Sequence, residues 1–161
     1  MRFFTGQHDR TIDDKNRLQL PSQLRTDLES NGEGDGLYVT LGEHKSTLSI
    51  FSERGFEALA ARIETEFMPG PEAQQFELQF FSLASRVEPD KQGRFVLPER
   101  LVGKARLGKE VVLVGQKNRI DVWNREAFEK SIGIDWEGDD WPDWKGFLRT
   151  RPGSSATGTR D

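Results

Sequence analysis

The sequence predicts an α+β fold built from two tandem halves, each a set of short strands with flanking helices, related by a pseudo-twofold axis. Three observations predict it. The stretch Asp90-Lys-Gln-Gly-Arg94-Phe-Val-Leu-Pro98 is a near copy of the upstream stretch Asp13-Asp-Lys-Asn-Arg17-Leu-Gln-Leu-Pro21. The same pair of strand-like runs follows each copy: Tyr38-Val-Thr-Leu-Gly42 with Leu48-Ser-Ile-Phe51, then Val111-Val-Leu-Val-Gly115 with Ile120-Asp-Val-Trp123. Each second run ends on an aromatic residue and passes into a helical pattern, Phe51 to Phe56 in one half and Trp123 to Phe128 in the other. Self-similarity at so long a period decides the fold before any local reading. Two halves are too few for a solenoid, and each is too short to bury a sheet face alone. Their hairpins are therefore expected to interleave around one core as a small barrel-like sheet.

Taken in order, Phe3 to Arg10 alternates weakly and predicts a first strand or arm ending near Ile12. Asp13 to Arg17 is a polar loop feeding a short strand, which Pro21 stops because it lacks the N–H a ladder needs. Pro21 to Leu28 predicts a short helix with Ser22 as cap and Leu24 and Leu28 one turn apart. Gly32, Gly34 and Gly36 break the chain before the first hairpin. Ser52 then caps a helix to Phe67, with Phe56, Leu59, Ala60, Ile63 and Phe67 at three- and four-residue steps. Met68-Pro-Gly-Pro71 ends it. A second helix from Glu72 to about Leu83 carries Phe76, Leu78, Phe80 and Phe81, an aromatic surface expected to be core between the halves. The second loop, a short segment from Pro98 to Ala105, the second hairpin and a last helix from Asn124 complete the copy. Matching Asp13 to Asp90, then Gly42 to Gly115, then Phe51 to Trp123 shortens the offset step by step, so the first half holds a few extra loop residues. The expected division is 1–67 as the first repeat with its helix, 68–83 as a connecting helix and 84–130 as the second repeat. Residues 131–161 form an acidic tail with Trp136, Trp141 and Trp144, expected to cover an apolar patch or dock a neighbour, and its end from Pro152 is expected to be disordered.

Composition narrows the function. No apolar run approaches the ~20 residues that span a bilayer, and Met-Arg-Phe-Phe-Thr-Gly does not open like a secretory leader. The absence of Cys removes disulfides and thiolate sites and fits a cytoplasmic protein. His8 and His44 alone make no multi-histidine metal centre, so no metal and no cofactor are expected. No nucleophile with a base, paired acid or phosphate-binding Gly loop is present, and an enzyme is not expected. The net charge of −4 argues against nucleic acid until its distribution is read. From Arg86 to Arg106 six bases face three acids, a local basic edge.

With both loops and hairpins laid out, the sequence resembles the MraZ family of bacterial transcriptional regulators, within the AbrB-like swapped-hairpin superfamily. The likeness rests on Asp-x-x-x-Arg once in each half, Asp13 to Arg17 and Asp90 to Arg94, each followed by an apolar-flanked triplet and Pro. It covers roughly residues 1–130; Asn16 stands where that family's first loop usually has Gly, and Asn tolerates the left-handed backbone. The resemblance implies two swapped-hairpin repeats in a ring of identical subunits, binding double-stranded DNA at promoter direct repeats and regulating division and cell-wall genes on the nucleoid. The DNA-contact candidates are Arg10, Lys15, Arg17, Arg25, Arg86, Lys91 and Arg94, with Asp13 and Asp90 setting the loops. For Arg17 and Arg94 the bland alternative is that each pairs with its own Asp and only locks a loop. The two roles coexist if the Asp orients an Arg fork toward phosphate or guanine. The competing class is a scaffold or antitoxin-like module that binds proteins and no DNA.

Overall fold

A computed structural model, describing residues 2–32, 36–132 and 144–149, turns the two sequence copies into matching strings of elements. The first half runs β1 (Gln7–Thr11), β2 (Arg17–Gln19), α1 (Ser22–Ser30), β3 (Leu37–Leu41), β4 (Thr47–Ser52) and α2 (Glu53–Glu66). After α3 (Pro71–Leu83), the second half repeats the order as β5 (Ser85–Val87), β6 (Arg94–Val96), α4 (Glu99–Ala105), β7 (Glu110–Gly115), β8 (Ile120–Asn124) and α5 (Arg125–Ile132). The chain divides into two units, Met1–Ser131 and Ile132–Asp161. In the second unit α6 (Trp144–Arg149) is helical. The expectations for Trp136, Trp141 and the segment from Pro152 lie outside the described residues. Among the described residues no helix is long and apolar enough to cross a membrane.

The strands form an antiparallel six-stranded sheet in the order β1-β7-β8-β4-β3-β5 and a separate two-stranded ribbon, β2-β6. The order is symmetric about its centre: each half contributes one hairpin, and the first strand of each half crosses over to the hairpin of the other. One hydrophobic cluster joins both halves, so neither has a core of its own. The expected barrel does not close. The six-stranded sheet is open, with β1 and β5 as its edges, and Pro21 and Pro98 follow the ribbon strands too soon for them to extend into it.

The ladders locate the pseudo-twofold. Leu18 pairs with Phe95, its own counterpart in the second loop copy, and Ser49 pairs with Asp121, its counterpart in the second hairpin. A residue opposite its own repeat partner lies on the axis, so the axis passes through the ribbon centre and the β4·β8 seam. The same ladders correct the hairpin alignment. Leu37 faces Ser52 as Val111 faces Asn124, and Leu41 faces Leu48 as Gly115 faces Ile120. The counterpart of Gly115 is therefore Leu41, one position before the Gly42 that the sequence suggests. Matching Gly42 to Gly115 would turn every β3 side chain to the wrong face, since one residue of slip reverses a strand's faces.

Leu37, Val39, Leu48, Ile50, Val111, Leu113, Ile120 and Val122 fill the inner face of the sheet, beneath Leu18, Leu20, Phe95 and Leu97 from the ribbon segments and Leu24 and Leu101 from α1 and α4. The outer face is aromatic. Tyr38 stacks on Phe56 of α2 at 4.2 Å, Phe56 meets Phe81 of α3 edge-on, and Trp123 meets Phe128 of α5 at 5.7 Å. Ser52 caps α2 as expected, its Oγ accepting from Gly55 N at 3.0 Å, and Asn124 does the same for α5 through Ala127 N. Two expectations fail. Ser22 is the first residue of α1, with Pro21 as the cap and no side-chain cap bond. No residue of α3 is buried, and Leu78 is 71% exposed. This helix lies against β3 on the outer face of the sheet, while the core that the two halves share lies on the other face.

Candidate nucleic-acid interface

Both signature loops fold identically. Asp13 Oδ1 accepts from the backbone N–H of Lys15 at 2.9 Å and of Arg17 at 2.8 Å, while Oδ2 takes Arg17 Nε at 2.7 Å. Asp90 Oδ1 accepts from Gln92 N and Arg94 N, each at 2.9 Å, and Oδ2 takes Arg94 Nε at 3.1 Å. In each loop the Asp N–H also donates to the Arg carbonyl, closing the turn. The need for Asp is thus geometric: its short carboxylate reaches two backbone N–H groups and one guanidinium at once. The backbone N–H of the following Arg, more than its guanidinium, holds each carboxyl below the ordinary aspartate range. At the turn, Asn16 (φ +58) and Gly93 (φ +80) are both left-handed, so Asn replaces Gly without altering the loop.

Each Asp holds its Arg through Nε. Both terminal nitrogens of Arg17 and of Arg94 have no partner among the described residues, and the side chains remain 41% and 44% exposed. Loop locking and ligand contact are therefore compatible, because the pinned arm still presents a two-pronged donor. Strand alternation puts Leu18 and Phe95 inward and leaves Arg17, Gln19, Arg94 and Val96 on the outer face of the ribbon. Arg17 lies opposite Val96 and Gln19 opposite Arg94, so the two arginines are diagonal neighbours, roughly 7–8 Å apart at Cα.

The remaining candidates separate. Lys15 and Lys91 sit exposed in the two loops, and neither ammonium has an ion pair among the described residues. Arg25 braces the second loop from α1: its Nη2 donates to the Lys91 carbonyl, and its side chain lies over Gly93, where an added Cβ would sit 2.6 Å from Arg25 Cδ. Arg10 is on β1 opposite Val111, on the ribbon's side of the sheet but at its edge. Arg86 is not brought to this surface. It lies opposite Tyr38, on the helix-covered face, and all three guanidinium nitrogens are engaged by Glu53 and Glu88. These bonds, the one to Glu88 foremost, raise its pKa further above the usual arginine value. Sequence reasoning missed Gln19 and Val96, although alternation from Arg17 and Arg94 puts them on the same face. Nor could it find the seam at the other end of the axis, where Ser49 Oγ donates to the buried Asp121 at 2.8 Å and Arg119 Nε bonds the same carboxylate at 3.0 Å.

Comparison with known proteins fits this duplicated arrangement. The family described as "MraZ protein, putative antitoxin-like" matches twice, at residues 3–77 and 80–133. The chain belongs to the MraZ family. The two MraZ matches meet within α3. The "Transcriptional regulator MraZ" of Mycoplasma mobile is 33% identical over 129 residues, 80% of this chain and 84% of that protein. The MraZ regulator of Mycoplasmopsis pulmonis is 37% identical over 79% of this chain and 84% of its own length. That of Moorella thermoacetica is 35% identical over 79% and 85%.

Proposed function

We propose that this protein is a sequence-specific, DNA-binding transcriptional regulator, acting as a ring of identical subunits on promoter direct repeats. The outer face of the β2·β6 ribbon carries the reading, because two arginines are pinned there through Nε with their terminal nitrogens open. A two-stranded ribbon fits the major groove, and an Arg fork matches the O6/N7 edge of guanine or a phosphate. The names of the relatives support regulation of transcription, and family membership supports division and cell-wall genes as targets, with the protein in the cytoplasm on the nucleoid. The crossing of β1 and β5 supports reading residues 1–67 and 84–130 as two swapped-hairpin repeats joined by 68–83, with 131–161 as a tail. In this reading Arg17 and Arg94 contact bases, Lys15, Lys91 and Arg10 contact backbone phosphates, Arg25 braces the second loop, and Arg86 takes no part.

A second reading, a protein-binding or antitoxin-like module, is favoured by the net charge of −4 and by Met68 and Leu78, 86% and 71% exposed. Salt-dependent gel shifts separate the two, because phosphate contacts make affinity fall steeply with salt. Arg17→Ala is expected to cost about 1–3 kcal/mol of DNA affinity, and Lys91→Ala less, with a salt slope lower by about 1. Arg86→Ala should bind like the parent. DNA binding by Arg17→Ala equal to that of the parent, with the fold intact, would return Arg17 to a purely structural role. No salt-dependent binding by the parent would leave the protein-binding module.

A further inference from the structure

The ribbon's outer face obeys the pseudo-twofold at one diagonal and breaks it at the other. Arg17 and Arg94 are repeat counterparts with identical loops and identical Nε anchors, whereas Gln19 and Val96, counterparts in the same alignment, have opposite chemistry. Gln19 is also oriented. Its Nε2 donates to the Gln92 carbonyl at 2.9 Å, and that partner can only accept, so the amide is turned with Oε1 free. At the matching position Val96 is 56% exposed, a large apolar side chain on a surface flanked by cations.

We infer that Gln19 and Val96 are specificity-determining residues that give each subunit a directional, non-palindromic DNA unit. The inference rests on the ribbon reading above. A free Oε1 accepts from an exocyclic amine, adenine N6 or cytosine N4, while an exposed Val methyl suits the thymine 5-methyl and offers nothing to an amine. Two matched arginines alone would read a unit the same way in either orientation. The unlike pair beside them assigns an amine-bearing base to the Gln19 side and thymine to the Val96 side, so the subunit sits on DNA one way round.

The experiment is selection from a random duplex pool with the full chain, comparing the parent with Gln19→Val, Val96→Gln and the double variant Arg17→Ala/Arg94→Ala. The parent is expected to enrich a unit lacking internal dyad symmetry. Gln19→Val should shift the base at one position toward thymine and make the unit more symmetric. Val96→Gln should shift the opposite position toward an amine-bearing base. Each should bind the parent's unit roughly tenfold more weakly. Both residues are exposed, and thermal melting checks that the variants fold; Gln19→Ala is the milder substitution, expected to lose preference at one base pair only. A palindromic unit from the parent, or the same unit from the parent and every position-19 and position-96 variant, overturns the inference while leaving the arginines in place. Enrichment that survives the double arginine variant, or no enrichment by the parent, overturns the ribbon reading and the inference with it.

Discussion

Gly93 and Asn16 hold the same left-handed turn in the two loops, yet they are not interchangeable. An added Cβ at Gly93 meets the Arg25 side chain as well as the strained backbone region, so Gly93→Ala is expected to cost about 1–2 kcal/mol from the backbone alone. It should also loosen the brace on Lys91. Asn16→Gly should stay within about 1 kcal/mol of the parent, and urea denaturation of both variants measures the difference. The loop carboxylates make a second prediction. Asp13 and Asp90 titrate below the ordinary aspartate range in the folded chain, so their contribution to stability is complete above that range and is lost as pH falls through the lowered values. Melting temperatures followed downward from about pH 4 should therefore drop more steeply for the parent than for Asp13→Asn/Asp90→Asn. Parallel curves would show that these carboxylates do not contribute to folding stability there. The motif was legible at this scale because each Asp and the Arg it holds are only one short turn apart in the chain. The engagement of Arg86 is not legible in the same way, because its partner Glu53 comes from a distant element, the start of α2.

The elements join through short contacts on the axis. A two-stranded ribbon is marginal by itself, and Leu18 and Phe95 attach it to the sheet. At the opposite end Asp121 is a buried acid at the β4·β8 seam, satisfied by Ser49 and Arg119. Asp121→Ala leaves Arg119, 21% exposed, without its closest carboxylate, and is expected to cost on the order of 3 kcal/mol in a denaturation experiment. A cost below about 0.5 kcal/mol would mean that water replaces the carboxylate there without penalty. Helix and hairpin positions were legible from caps and alternation, as at Ser52 and Asn124. The β3 register was not, because a shared Gly marks a turn while the faces are set by which residues meet the core. The reading of α3 as core failed for a related reason: Phe76, Leu78, Phe80 and Phe81 spread around the helix, and aromatic content says nothing about which face finds a partner. The exchange of β1 and β5 leaves no local signal at all, since it pairs residues of different halves.

At the scale of the whole molecule, the proposed ring would let a subunit with one modest basic surface on an acidic chain gain DNA affinity by repetition. In a ring each further contact is intramolecular, and avidity can exceed single-site affinity by ~10²–10⁴. Sites met by successive subunits on one face of the duplex should recur roughly every 10 bp, and inserting about 5 bp between them should collapse binding while a full turn restores part of it. Gel shifts on one repeat, on the array and on the spaced arrays measure this; a single repeat bound as tightly as the array would exclude ring avidity. The crossing of β1 onto β7 also bears on how the chain is made. Asp9 pairs with Val112, so β1, once it has left the ribosome, waits for about a hundred further residues, roughly 5–20 s at ordinary synthesis rates, before its partner exists. Through that interval the hairpin of β3 and β4 has no β8 beside it, and for most of it no β6 over its core face. The nascent first half must therefore stay soluble without its own fold, and the Arg, Asp and Gln residues along β1 keep that waiting strand from pairing with another copy.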